Sequence, residues 1–151
     1  MRQFLKIALE SGLDDYQFIR ADQHYITAIL ALRLQLSKES KYVNTSTAKR
    51  ELENIKNATD PEGIYQLVLY KGKPVAICIA YYEKDADGFS RTHIGLIAVL
   101  KQHAGNGIAT KMMQNVFDWA AEMGCYSVTL YVNEDNPAAR SLYNKMAFKD
   151  S

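Results

Sequence analysis

Two β-rich runs joined by a short turn constrain this chain more than any other feature. Ile64-Tyr65-Gln66-Leu67-Val68-Leu69-Tyr70 and Val75-Ala76-Ile77-Cys78-Ile79-Ala80-Tyr81-Tyr82 are filled with strand-favouring side chains, and Lys71-Gly72-Lys73-Pro74 between them has the chemistry of a tight turn. The pair reads as an antiparallel hairpin. A polar loop from Asp85 to Ser90 leads to a third strand, Thr92 to Leu100, apolar enough for the centre of a sheet. Antiparallel neighbours in the middle of the chain exclude a simple alternating parallel fold.

The flanks supply the helices. Tyr16 to Arg20 alternates like a short strand, Ala21-Asp22 offers a cap, and Ile26, Ile29, Leu30, Leu32, Leu34 and Leu36 populate an apolar helix ending near Ser37. Thr45 or Ser46 caps a second helix running to about Asn57, and the opening dozen residues form either a short amphipathic helix or a loose arm. After Leu100, a glycine-containing loop precedes a helix from about Gly107 to Met123, with Ile108, Met112, Val116 and Ala120 in one row. Tyr126 to Val132 is the next strand, and Pro137 opens a last helix through about Met146. The order β-α-α-β-β-β-α-β-α describes an α/β (α+β) chain, one domain over residues 1–151, whose mixed, mostly antiparallel sheet carries helices on both faces.

Eighteen basic against seventeen acidic residues leave a formal charge of +1, without the positive field that steers proteins to nucleic acid or anionic membranes. The longest apolar run outside the helices, Ile94 to Leu100, is far short of the roughly 20 residues of a helical membrane span. Charges at Lys6 and Glu10 interrupt the start, so no signal-peptide centre is present and a cytoplasmic address is expected. Cys78 and Cys125 lack metal-ligand spacing and read as reduced core residues; no metal is expected. A small, locally recognised partner is the expectation.

The segment that carries chemistry is Gln102-x-x-Gly105-x-Gly107, set between a strand and a helix. Such a junction presents unpaired backbone amides and the positive end of a helix dipole, a natural site for an anion. Glycine lets backbone approach a diphosphate, and the Thr110 hydroxyl offers a further donor. The same spacing also serves a helix start that simply needs a tight turn. A dinucleotide fingerprint is disfavoured because the third small position falls on Thr110, and a nucleotide phosphate loop because no Gly-Lys-Ser/Thr follows.

Val99 to Met113, with Gln102-His103-Ala104-Gly105-Asn106-Gly107 at its centre, resembles the acyl-coenzyme A motif of the GNAT acetyltransferase superfamily, Gln/Arg-x-x-Gly-x-Gly/Ala. Asn133 to Phe148, with Asn136, Ala138-Ala139, Leu142-Tyr143 and Ala147-Phe148, resembles its second signature. The resemblance covers residues 64 to 148 well and the first sixty in element order alone. Ala104 stands where many members have Arg, and Ala147 stands where Gly is usual, a cost if that position is left-handed. Only Lys149-Asp150-Ser151 follow Phe148, where members continue into further strands, so a shortened sheet is expected. Its edge is either tolerated or covered by the Met1 to Gly12 arm or by a second copy, and a homodimer contact is hypothesised there.

The resemblance implies acetyl-coenzyme A as acetyl donor and a primary amine of a small molecule or peptide as acceptor, with direct attack in a ternary complex. It implies cofactor contacts at Ile97, Ala98 and Val99 through backbone, at Gln102, His103, Ala104, Gly105, Asn106, Gly107, Ile108, Ala109 and Thr110, and at Ala139. The Val99 amide would polarise the acyl carbonyl, and Tyr143 would protonate the departing thiolate; by composition Tyr143 is equally a helix residue packed on the sheet. Asn136 is either a cofactor contact or a helix cap. His93 falls where some members carry a catalytic Glu, and an imidazole with pKa about 6.5 suits a general base; it also fits a hydrogen-bonded strand residue. Glu83 and His24 are weaker candidates. The acceptor is not named by the sequence, and a non-catalytic coenzyme A-binding regulatory or assembly module is the alternative from another functional class.

Overall fold

A computed structural model describes residues 13–43, 63–132 and 135–149. The second helix expected from Thr45 and the arm before Gly12 lie outside them. Strand β1 (Tyr16–Arg20) is followed by a 3-10 turn, Gln23–Tyr25, and helix α1 (Ile26–Glu39). The Asp22 side chain accepts from the His24 amide at 2.9 Å, so it caps the 3-10 turn and defers the start of the α-helix to Ile26. Strands β2 (Gly63–Tyr70), β3 (Lys73–Lys84) and β4 (Ser90–Val99) form the expected meander. Lys71 and Gly72, with φ of 50° and 80°, make a two-residue turn whose twist suits a hairpin, leaving Lys73 and Pro74 to begin β3. A 3-10 turn, Lys101–His103, then α2 (Ile108–Glu122), β5 (Ser127–Leu130) and α3 (Pro137–Lys145) complete the order.

The sheet has five strands in the order β1-β2-β3-β4-β5, antiparallel throughout except for the parallel pair β4 and β5. Side chains alternate across its faces. Val75 shares a cavity wall with Ala28, Ala31 and Leu32 of α1, whereas Gln66, paired with Cys78, donates to the Met112 carbonyl of α2 at 3.0 Å. The two helices therefore cover opposite faces, as the sequence reading expected. Ile108, Met112, Val116 and Ala120 of α2 bury the apolar row that periodicity picked out, whereas in α1 Ile29, Leu32 and Leu36 are buried and Leu30 and Leu34 of the expected apolar set are exposed. Among the described residues, no helix is long and apolar enough to cross a membrane.

One irregularity positions the site. Ile79 pairs with Leu96 and Ala80 with Ile94, so Gly95 is an extra residue in β4 with no partner opposite. A Cβ there would stand 2.9 Å from the Tyr81 ring, which explains the glycine. Pairing of β4 with β5 stops at the same place, with Ile94 opposite Leu130. Past the bulge the two parallel strands part, and β5 ends at Leu130 instead of continuing to Val132.

Candidate active site

The fork between β4 and β5 holds a cavity of about 260 Å³. Gly95 to Val99 form one wall and Leu130, Tyr131 and Val132 the other, with the end of α1 above and Asn136, Ala139 and Tyr143 closing it. The Leu100 amide donates to the Val75 carbonyl at 2.9 Å, toward β3. Successive amides of an extended chain point to opposite sides, so those of Val99 and Ile97 point into the fork, where β5 no longer pairs. Asn136 is the α3 cap, its side chain accepting from the Ala139 amide at 3.3 Å, and it also lines the cavity.

At the end of β4 the chain turns through Lys101–His103 and enters α2. Gly105 and Gly107 have φ of 80° and 83°, the left-handed region that glycine enters freely. Gly107 is the α2 N-cap and no side chain caps the helix. The first intrahelical bond runs from the Lys111 amide to Gly107 at 3.0 Å, which leaves the Ile108, Ala109 and Thr110 amides without helical acceptors. A Cβ built on either glycine meets no protein atom within 4 Å. Free donors, a helix dipole and open space against bare backbone fit a diphosphate. Glu39 secures the loop from the other side, accepting from the Lys101 amide at 2.9 Å. Gln102, Ala104 and Asn106 are exposed on the loop, and the Asn106 side chain donates to the His103 carbonyl at 3.1 Å. The His103 amide donates to the Leu100 carbonyl at 2.9 Å, and its ring is drawn to Tyr16, whose hydroxyl lies 2.8 Å from Nδ1, and to the Tyr70 ring at 4.9 Å.

His93 and Tyr143 lie on opposite faces of the sheet. His93 pairs with Tyr81, which alternation along β3 sets on the face opposite Cys78 and the α2-bonded Gln66, and so belongs to the α1 face. It does not itself line the fork cavity; its neighbours Ile94 and Tyr131 do. Its Nδ1 is 2.9 Å from Thr129 Oγ1, and its ring stands 5.0 Å from that of Tyr131. Burial holds this imidazole below its usual pKa of 6.5; Glu83 opposes that shift and Arg91 adds to it. Tyr143 reaches the cavity from the α2 side, packed on Phe148 and sensing Cys78. Burial, with Cys78 second, pushes its phenol up to about 12, which keeps it protonated and able to donate. Burial likewise pushes the Cys78 thiol up to about 12, an inert core group as expected.

The weaker candidates are accounted for elsewhere. Glu83 is bonded to Arg91 at 3.2 Å, and His24 is exposed beside Asp22. Sequence reasoning missed Tyr131, 91% exposed on the rim of the fork; Tyr42, in the Lys38 to Tyr42 run that the sequence offers as either an amine-pocket frame or a solvated turn, lines the cavity and donates to the Asp135 carbonyl at 2.8 Å. Lys41 reinforces that strap with an ion pair to Asp135 at 3.0 Å. The period-2 placement of Tyr131 after Thr129, on the His93 face, was the available signal.

A model of the acetyltransferase (GNAT) family matches residues 29–148. The chain belongs to the GNAT acetyltransferase family. It is 36% identical over 58 residues to N-alpha-acetyltransferase 30 of Schizosaccharomyces pombe, covering 38% of this chain and 39% of that protein. It is 30% identical over 82 residues to N-alpha-acetyltransferase MAK3 of Arabidopsis thaliana, covering 54% of this chain and 43% of that one. The chain thus spans about two fifths of the length of the curated relatives it matches. Its fold is similar to that of a predicted acetyltransferase from Clostridium acetobutylicum solved with acetyl-CoA, with a TM-score of 0.76, 19% identity and coverage of 90% and 91% of the two chains. In this GNAT domain the wall of the fork runs along β4 to Lys101, and the glycine loop and the uncapped α2 terminus follow directly in the chain.

Proposed function

We propose that this chain is an N-acetyltransferase that moves the acetyl group of acetyl-coenzyme A to a primary amine, and that the amine is the α-amino group at a protein N-terminus. The observation that carries the reading is a fork lined along β4 as far as Lys101, followed in the chain by the left-handed Gly105 and Gly107 and the uncapped start of α2. The names of the two curated relatives support the acceptor class. So does the site's own acid–base character. An α-amine of pKa about 8 is neutral in roughly one molecule in ten at pH 7, whereas a lysine amine is neutral in about one in a few thousand. An imidazole held below 6.5 is a weak base, sufficient for the first and poorly matched to the second.

Each group then has a task. Acetyl-coenzyme A, when bound, supplies the acyl group activated as a thioester. The Ile108, Ala109 and Thr110 amides hold the diphosphate, with Gly105 and Gly107 letting backbone approach. Ile97 and Val99 offer strand amides to the arm in the fork, and the Val99 N–H polarises the acyl oxygen. His93, one residue outside the cavity, takes the amine's proton through a bridging water beside Tyr131. Tyr143 donates a proton to the departing sulfur from the other face.

Calorimetric titration of acetyl-coenzyme A into the wild type and a Gly105→Asp, Gly107→Asp variant tests the cofactor site. Micromolar binding, lost in the variant, is expected; no binding to folded wild type would sink the reading. Mass spectrometry on paired peptides, one with a free N-terminus and no lysine, the other N-terminally blocked with one lysine, decides the acceptor. The proposed homodimer contact at β5 has a sedimentation test, in which a monomer at high concentration counts against it.

A further inference from the structure

A second cavity, about 840 Å³, lies between α1 and the β2–β3 turn, beyond the fork and on the α1 face of the sheet. Its size falls in the range of small-molecule sites. Its floor is aliphatic, with Leu32, Val75 and Leu100 buried beneath Ala28 and Ala31. Among the described residues, the lysines Lys71 and Lys73 border it and no carboxylate does, with the His103 ring completing the rim. The basic groups are also arranged. Lys71 sits at the left-handed first position of the hairpin turn, with Nζ 5.2 Å from the Tyr70 ring centroid, and the same ring stacks near His103. Tyr16 holds the His103 imidazole by its Nδ1 at 2.8 Å.

An apolar floor with a cationic mouth is complementary to an amphipathic anion. The floor removes hydrocarbon from water, and the lysines meet a carboxylate at the rim. We propose that this cavity is a second small-molecule site, for a carboxylate carrying an aliphatic chain. Such a ligand touches His103 and Gln102, which belong to the turn leading into Gly105 and Gly107.

Octanoate and 1-octanol serve as probes, followed by amide chemical shifts of the isotopically labelled full chain. Octanoate is expected to shift the Ala31, Val75 and His103 amides saturably, and 1-octanol to bind at least about tenfold more weakly. Lys71→Ala with Lys73→Ala should weaken octanoate about tenfold. Ala31→Phe, at an exposed helix position that tolerates a larger side chain, should abolish binding by filling the cavity, with circular dichroism confirming the fold. Shifts confined to Gly95–Val99 and Tyr131, equal affinity for octanol, indifference to the lysine pair or to Ala31→Phe, or no shift at millimolar octanoate would each overturn the assignment. Because none of these readouts involves acetyl transfer, the result is independent of the catalytic reading.

Discussion

Gly107→Ala, set against Gly124→Ala, separates a glycine needed for folding from one needed for a ligand. Both residues are left-handed, with φ of 83° and 75°, and a Cβ on either meets no atom within 4 Å. The added methyl therefore creates no clash in the free protein, and the cost is backbone strain. An alanine forced into that region costs about 1–2 kcal/mol, offset by roughly 0.5 kcal/mol because alanine loses less conformational freedom on folding. Both variants should thus lose about 1 kcal/mol in urea denaturation, with unchanged slope. They differ in place: Gly107 caps the N-terminus of α2, before its free amides, and Gly124 follows its C-terminus. If the Gly107 backbone lies against a diphosphate, the methyl occupies the approach, and acetyl-coenzyme A affinity falls tenfold or more, about 1.4 kcal/mol. Gly124→Ala should leave affinity within about twofold. Equal losses of affinity in both variants, or an unaltered affinity in Gly107→Ala, would refute the reasoning.

The remaining predictions address the acid, the base, the acceptor rim and the helix end. Tyr143→Phe should lower kcat about 10²-fold with acetyl-coenzyme A affinity kept, as measured by steady-state kinetics beside calorimetry. Because the folded pKa of His93 lies below its unfolded value of about 6.5, the unfolded chain binds the proton more readily. Its contribution to stability is therefore complete above about 6.5 and is lost as pH falls from there through the lowered folded value. Denaturation curves at several pH values should show that slope, and His93→Gln should flatten it. Tyr131→Ala should raise the acceptor KM about fivefold without altering acetyl-coenzyme A affinity, in a peptide titration. Ala147→Gly should stabilise by about 0.5–1 kcal/mol in urea denaturation, since Ala147 ends α3 at φ 66° and is exposed.

Local chemistry was legible, and non-local consequences were not. Strand β1 falls on Tyr16–Arg20 as alternation indicated, and Asn136 caps α3 as its position before Pro137 implied, because both signals involve groups a few residues apart. Asp22 was read as a cap and is one, but of a 3-10 turn; the hydrogen bond was foreseeable and the turn type was not. Tyr126 to Val132 has strand composition throughout, yet β5 occupies Ser127–Leu130 alone, because a strand exists only where a neighbour accepts its hydrogen bonds. That neighbour is lost at Gly95, one unpaired residue in β4 held under the Tyr81 ring. No periodicity announces a bulge, since it depends on register with β3. The same event explains why Tyr131 escaped notice. As a strand residue it would be one aromatic among ten tyrosines; as the first residue past the fork it stands 91% exposed beside His93 and the cavity. Gly95 thus parts β4 from β5 and leaves Tyr131 on the rim of the fork, so that one backbone irregularity shapes both sides of the proposed site.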